Sequence, residues 1–81
     1  MKKVLSLSFL VILISSCSDY RRVLRGDDYQ LKFELSNKLY DQSEFDRCII
    51  LFEQIYQHSP KSPEGELSYF RLANSYFKNE D

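Results

Sequence analysis

The 81-residue sequence predicts an all-α fold built from antiparallel helical hairpins. Three observations predict it. Apolar residues between Tyr29 and Pro60 recur at helical spacing in two stretches separated by a short polar turn. The helix-breaking residues are scarce, with two Gly and two Pro in the whole chain. Part of the first apolar pattern returns further along at a constant spacing, the mark of repeated units rather than of a single core.

The chain begins with an address. Met1-Lys2-Lys3 is a short basic region, and Val4 to Ile14 is an apolar run interrupted only by Ser6 and Ser8. The run falls short of the roughly 20 apolar residues that span a bilayer, and its anatomy is that of a cleavable export signal over residues 1–16. A buried N-terminal helix is the competing reading. Ile14-Ser15-Ser16-Cys17 then resembles a bacterial lipobox, in which small residues fit the peptidase cleft and the cysteine thiol takes a diacylglyceryl group. Cys17 is therefore the expected lipidation site. Cleavage would free its amine for a further acyl chain, and two or more chains anchor a protein where one barely does. A secretory signal whose first mature residue happens to be Cys is the alternative. Ser18 in the next position resembles the permissive case for outer-membrane transfer, which places the expected protein at the bacterial outer membrane, facing the periplasm.

Residues 17–28 read as the lipidated cysteine and a short tether. Tyr20 to Arg25 suffices for a turn or two of helix, Gly26 ends it, and Asp27-Asp28 can cap the next start. Arg21, Arg22 and Arg25 either touch anionic head groups or belong to a solvated linker.

Helix one is expected from about Asp28 to Asp41. Tyr29, Phe33, Ser36 and Tyr40 share one face, and Leu31, Leu35 and Leu39 form a second stripe beside it. Gln42-Ser43-Glu44 is the turn, with Ser43 as the expected N-cap and Asp46 completing a capping-box-like pattern. Helix two is expected over about Glu44 to Gln57. Its stripe of Phe45, Cys48, Ile49, Phe52, Ile55 and Tyr56 would contribute on the order of 10 kcal/mol on burial, before entropy. Ile50 points away from that stripe, and Ser59-Pro60 stops the helix. Cys48, left alone if Cys17 is lipidated, is expected as a buried small hydrophobe.

Set on its closing proline, Pro60, the 29–60 segment resembles a tetratricopeptide repeat. Leu35, Ser36 and Leu39 fall at the motif's Leu, Gly/Ala and Tyr positions, Phe45 at the aromatic start of the second helix, and Cys48, Phe52 and Ile55 at its Ala, Phe and Ala positions. Lys32 stands where the motif has Trp, and Ser43 where the turn usually has Gly. Residues 61–81 read as the start of a second unit. Pro63 to Glu66 is expected as a loop leading into a helix. Phe70, Ala73 and Phe77 then repeat Phe33, Ser36 and Tyr40 at an offset of 37, as Leu72 and Tyr76 repeat Leu35 and Leu39. The resemblance implies the N-terminal part of an α-solenoid. One and a half units leave the faces of Tyr69, Leu72 and Tyr76 open, so the chain is expected to be a fragment of a longer protein or to pair.

Charge and chemistry narrow the function. Lys+Arg number 11 and Asp+Glu 12; without Lys2 and Lys3 of the signal, 9 basic residues face 12 acidic ones, a net −3. Nucleic acid is not expected as a partner, since phosphate binding needs a basic excess. No catalytic, cofactor-binding or metal site is expected. His58, the only histidine, sits at a helix end, where its charge suits the helix terminus. The glycines, Gly26 and Gly65, stand apart and make no phosphate loop.

The run Cys17-Ser18-Asp19-Tyr20-Arg21-Arg22-Val23-Leu24-Arg25, with Asp28-Tyr29 and Lys32-Phe33-Glu34 after it, resembles the BamD-like family of lipoproteins that help assemble β-barrel proteins in the outer membrane. The resemblance implies a scaffold without enzymatic activity that binds β-barrel assembly subunits and unfolded outer-membrane proteins. It assigns no contact to a residue of this chain. A repeat lipoprotein that binds nutrient or glycan beside an outer-membrane transporter is the second reading. A periplasmic enzyme with its catalytic domain beyond Asp81 is the third.

Overall fold

A computed structural model describes residues 19–80. The export signal expected over 1–16 and the lipidation expected at Cys17 lie outside them. The described residues form four helices and no strand, so the chain is all-α there. Helix α1 covers residues 19–25. Helix α2 is Tyr29–Asp41, α3 is Phe45–His58 and α4 is Pro63–Asn79.

Each boundary has a local cause. The Asp28 side chain accepts from the Leu31 amide at 3.1 Å and caps α2. The exit of α2 is a Schellman motif: the Ser43 amide donates to the Tyr40 carbonyl at 3.0 Å and the Glu44 amide to the Leu39 carbonyl at 2.9 Å. Such a motif needs a left-handed residue in the position where glycine is commonest. Here Ser43 takes it, with φ 61°. This corrects the expected N-cap. An N-cap residue has extended backbone, and Ser43 is committed to closing α2. Glu44 holds the N-cap position of α3 and makes no side-chain capping bond. Asp46 accepts instead from Asn79 of α4, at 2.7 Å.

The start of α4 also differs from expectation. Ser62 accepts from the Gly65 amide at 2.9 Å and Pro63 sits in the first turn, an arrangement suited to proline because the missing amide has no partner there anyway. Pro63 to Glu66 are thus helix, not loop. Gly65 is buried where the chain between α3 and α4 crosses it. A Cβ at this residue would lie 1.8 Å from the Ser59 carbonyl oxygen and 2.8 Å from its carbon.

Helix α3 is the centre. It runs antiparallel to α2, since Tyr40 meets Phe45 at one end and Tyr29 meets His58 at the other. It runs antiparallel to α4 as well, with Tyr56 against Tyr69 and Cys48 against Ser75. Helices α2 and α4 therefore lie parallel, joined by Arg71 donating to Asn37 and Asn74 donating to Tyr40. Cys48, Leu51, Phe52 and Ile55 of α3 are essentially inaccessible and form one core with Val23 and Leu39. Small side chains let the helices approach: Ser36 on α2, and Gly65, Ser68 and Ser75 on α4, are all buried. The Tyr40 ring meets Phe45 and Phe52 edge-on, each at 6.0 Å, and lies 5.0 Å from the Arg71 guanidinium.

The buried face of α2 departs from the expected leucine stripe. Leu31 is exposed and Leu35 half-buried, while Lys32, Ser36 and Leu39 are buried. Leu51, which lies off the predicted stripe of α3, is fully buried. It occupies the row between Arg47 and Gln54, the two residues that receive α1.

Gly65→Ala, which would favour an isolated helix by about 1 kcal/mol, is expected to destabilise this one by about 2 kcal/mol because backbone atoms of Ser59 must move. Ser43→Gly should act oppositely and stabilise by about 1 kcal/mol, relieving the left-handed Cβ penalty. Urea denaturation midpoints check both.

Candidate interaction surfaces

Two features stand out against the core: a helix clamped by a buried lysine, and a helix face left uncovered. Helix α1 presents Tyr20, Val23 and Leu24 to the body, and Val23 is buried there. Its polar fastenings come from three sides. The Tyr20 hydroxyl donates to the Arg47 carbonyl at 3.1 Å, and the Arg47 guanidinium lies 5.6 Å from the Tyr20 ring. Lys32 sends its ammonium between α1 and α3 and donates to the Val23 carbonyl at 2.9 Å, the Leu24 carbonyl at 2.8 Å and Gln54 Oε1 at 2.6 Å. Gln54 in turn donates to the Leu24 carbonyl at 3.3 Å.

An ammonium has three donors, and Lys32 has three acceptors. It is 2% exposed. Desolvation lowers its pKa, and the nearby Asp27 carboxylate works against that. Val23 and Leu24 lie in the last turn of α1, so their carbonyls carry the negative end of the helix dipole, where a cation is favoured. Beside this clamp lies a cleft of about 340 Å³ lined by Leu24, Gly26, Tyr29, Lys32, Gln54, Gln57 and His58. The His58 ring stacks on Tyr29 with centroids 3.7 Å apart. His58 is in the last turn of α3, as its place in the sequence suggested.

The uncovered face belongs to α4. Tyr69 is 56% exposed, Phe70 68%, Tyr76 50% and Phe77 69%. With Ala73, also exposed, they fall at i, i+1, i+4, i+7 and i+8, one side of a helix. Their exposed area sums to about 500 Å² at ordinary aromatic sizes, the size of the largest apolar patch on a typical monomer. Subtracting 37 from Phe70, Ala73, Tyr76 and Phe77 gives Phe33, Ser36, Leu39 and Tyr40, the residues α2 turns toward α3. These are buried or half-buried. The same pattern is thus covered once and open once.

Cys48 is a free, fully buried thiol on α3. Burial raises its pKa, and the Ser75 hydroxyl at 3.4 Å opposes that rise. The Tyr20 phenol is likewise pushed up by burial, with Arg47 working against it and Cys48 adding to it. Both groups are placed as packing and fastening elements. The sequence reading missed the Lys32 clamp because a lysine at a helical position is ordinarily solvated. The available signal was its place in the resemblance to a tetratricopeptide repeat, at a position where that motif has an apolar residue.

Comparison with protein-family models, curated proteins and solved structures yields no significant match to this chain.

Lys32→Met keeps the length of the side chain and removes all three donors. It is expected to cost about 2–3 kcal/mol through the stranded carbonyls and Gln54. Hydrogen–deuterium exchange should locate the change, with the amides of α1 exchanging much faster and those of α3 accelerating no more than the loss of global stability requires.

Proposed function

We propose that this chain is a lipid-anchored periplasmic scaffold of the outer-membrane β-barrel assembly machinery, bound to the membrane through Cys17 and to other polypeptides through helical repeats. On this reading α2 and α3 are a tetratricopeptide-type unit and α4 opens the next. The parallel course of α2 and α4, which the bonds from Arg71 to Asn37 and from Asn74 to Tyr40 join, supports that assignment, since the first helices of successive hairpins in such an array run parallel.

The observation that carries the reading is the recurrence of the α2 pattern on α4: Phe70, Ala73, Tyr76 and Phe77 stand at an offset of 37 from Phe33, Ser36, Leu39 and Tyr40, the face that α2 turns to α3. On this reading the open aromatic face of α4 is the helix-docking face of its own repeat. The lipobox-like Ile14-Ser15-Ser16-Cys17 and the family-like run from Cys17 to Arg25 supply the anchor and the particular machinery.

Affinity purification from detergent-solubilised membranes tests the assignment. The barrel-forming subunit should co-purify. Recovery of the protein without any barrel-assembly subunit overturns the assignment. Mass spectrometry of the same sample should find a diacylglyceryl group on Cys17, and an uncleaved, unmodified N-terminus overturns the anchor.

A further inference from the structure

We propose that α1 is a bilayer-docking surface, on which Arg21, Arg22 and Arg25 engage the phosphates of anionic phospholipids and set the orientation of the helical body. The inference rests on the lipid-anchor reading for its proximity to the membrane, and on the geometry of α1 for the surface itself.

At 100° per residue the apolar residues of α1, Tyr20, Val23 and Leu24, group on one side, and the three arginines group on the opposite side. All three are exposed. The helix carrying them is no loose linker: Lys32, Gln54 and the Tyr20 hydroxyl hold it on the body. Whatever the arginines bind therefore orients α2, α3 and α4 as well. An acyl-bearing Cys17 would lie two residues before Asp19, at most about 7 Å of chain. That is within the Debye length of about 8 Å at physiological salt.

Charge decides the sense of the orientation. Residues 19–25 contain three arginines and one aspartate, a net of +2. Residues 26–80 contain 6 basic and 10 acidic residues, a net of −4. An anionic surface attracts α1 and repels the rest. Asp19 bridges Arg22 at 2.8 Å and offsets one of the three charges. The guanidinium fork matches phosphate oxygens two at a time. An acidic protein is the less fitting partner, because the outward side of α1 offers no apolar anchor of the kind a protein interface needs.

Arginine accessibility reads this out. The acylated full-length protein, in vesicles of phosphatidylcholine with or without phosphatidylglycerol, is treated with phenylglyoxal, and modified arginines are mapped by mass spectrometry. Arg21, Arg22 and Arg25 should react several-fold more slowly on the anionic vesicles. The protection should vanish at high salt, and Arg71 should react alike on both. Equal rates for the α1 arginines on the two vesicle types overturn the proposal. Protection that arises only when an acidic protein is added, with bare anionic vesicles inert, overturns it in favour of a protein contact. If mass spectrometry shows Cys17 unmodified, the anchor reading fails separately. The arginine surface is then judged by partition of the Cys17→Ser chain from solution onto anionic vesicles. The triple variant Arg21→Gln, Arg22→Gln, Arg25→Gln should weaken that partition on the order of a hundred-fold, at about five-fold for each of the three charges removed, and an unchanged partition overturns the surface.

Discussion

The ammonium of Lys32 joins three of the four helices. It rises from α2, ends on the last carbonyls of α1 and reaches Gln54 of α3. Burying a charged amine is costly unless every donor is paired, and here every donor is. The described residues of α1, 19–25, are too few to hold a helix by themselves in water. Their order depends on Val23 entering the core and on this cation at the negative end of the helix. The Tyr29 ring, 5.5 Å from Nζ, adds a polarisable wall on the remaining side. One lysine thus turns what would be a tether into a part of the body.

The other side of the molecule is organised by absence of bulk. Gly65, Ser68 and Ser75 let α4 press close to α3, and Gly65 admits the Ser59 backbone at a distance no side chain would tolerate. With its small residues turned inward, α4 carries its large ones outward. Tyr40 secures the arrangement from α2 through Phe45 and Phe52 on α3 and Arg71 and Asn74 on α4. The result is one packed body with an arginine-bearing helix, α1, on one side and an open aromatic face on α4.

Much of this was legible in the residues. Helical spacing and Asp28 located α2, the Phe45 to Tyr56 stripe located α3, and Cys48 went where a small apolar thiol belongs. The offset of 37 identified which residues of α4 correspond to the covered face of α2. Other features were misjudged for definite reasons. Ser43 looked like an N-cap because serine commonly is one, yet the end of α2 claimed it first. Pro63 to Glu66 looked like a loop because Pro and Gly usually punctuate, yet Pro63 initiates α4 and Gly65 makes room for a crossing backbone. Leu51 falls outside the stripe of α3 because that stripe follows one apolar face, while the row of Arg47, Leu51 and Gln54 beside it receives α1.

By itself, then, the sequence determined which segments become helices, roughly where they stop, and that the pattern of α2 recurs in α4, since period, capping and composition act within a few residues of one another. Only the tertiary structure decided that Lys32 is buried and Leu31 is not, that Ser43 carries a left-handed turn, and that α1 belongs to the body with its arginines outward. Those outcomes depend on which groups from distant parts of the chain arrive to accept a proton's hydrogen bond or to exclude water, and no local pattern records the arrival.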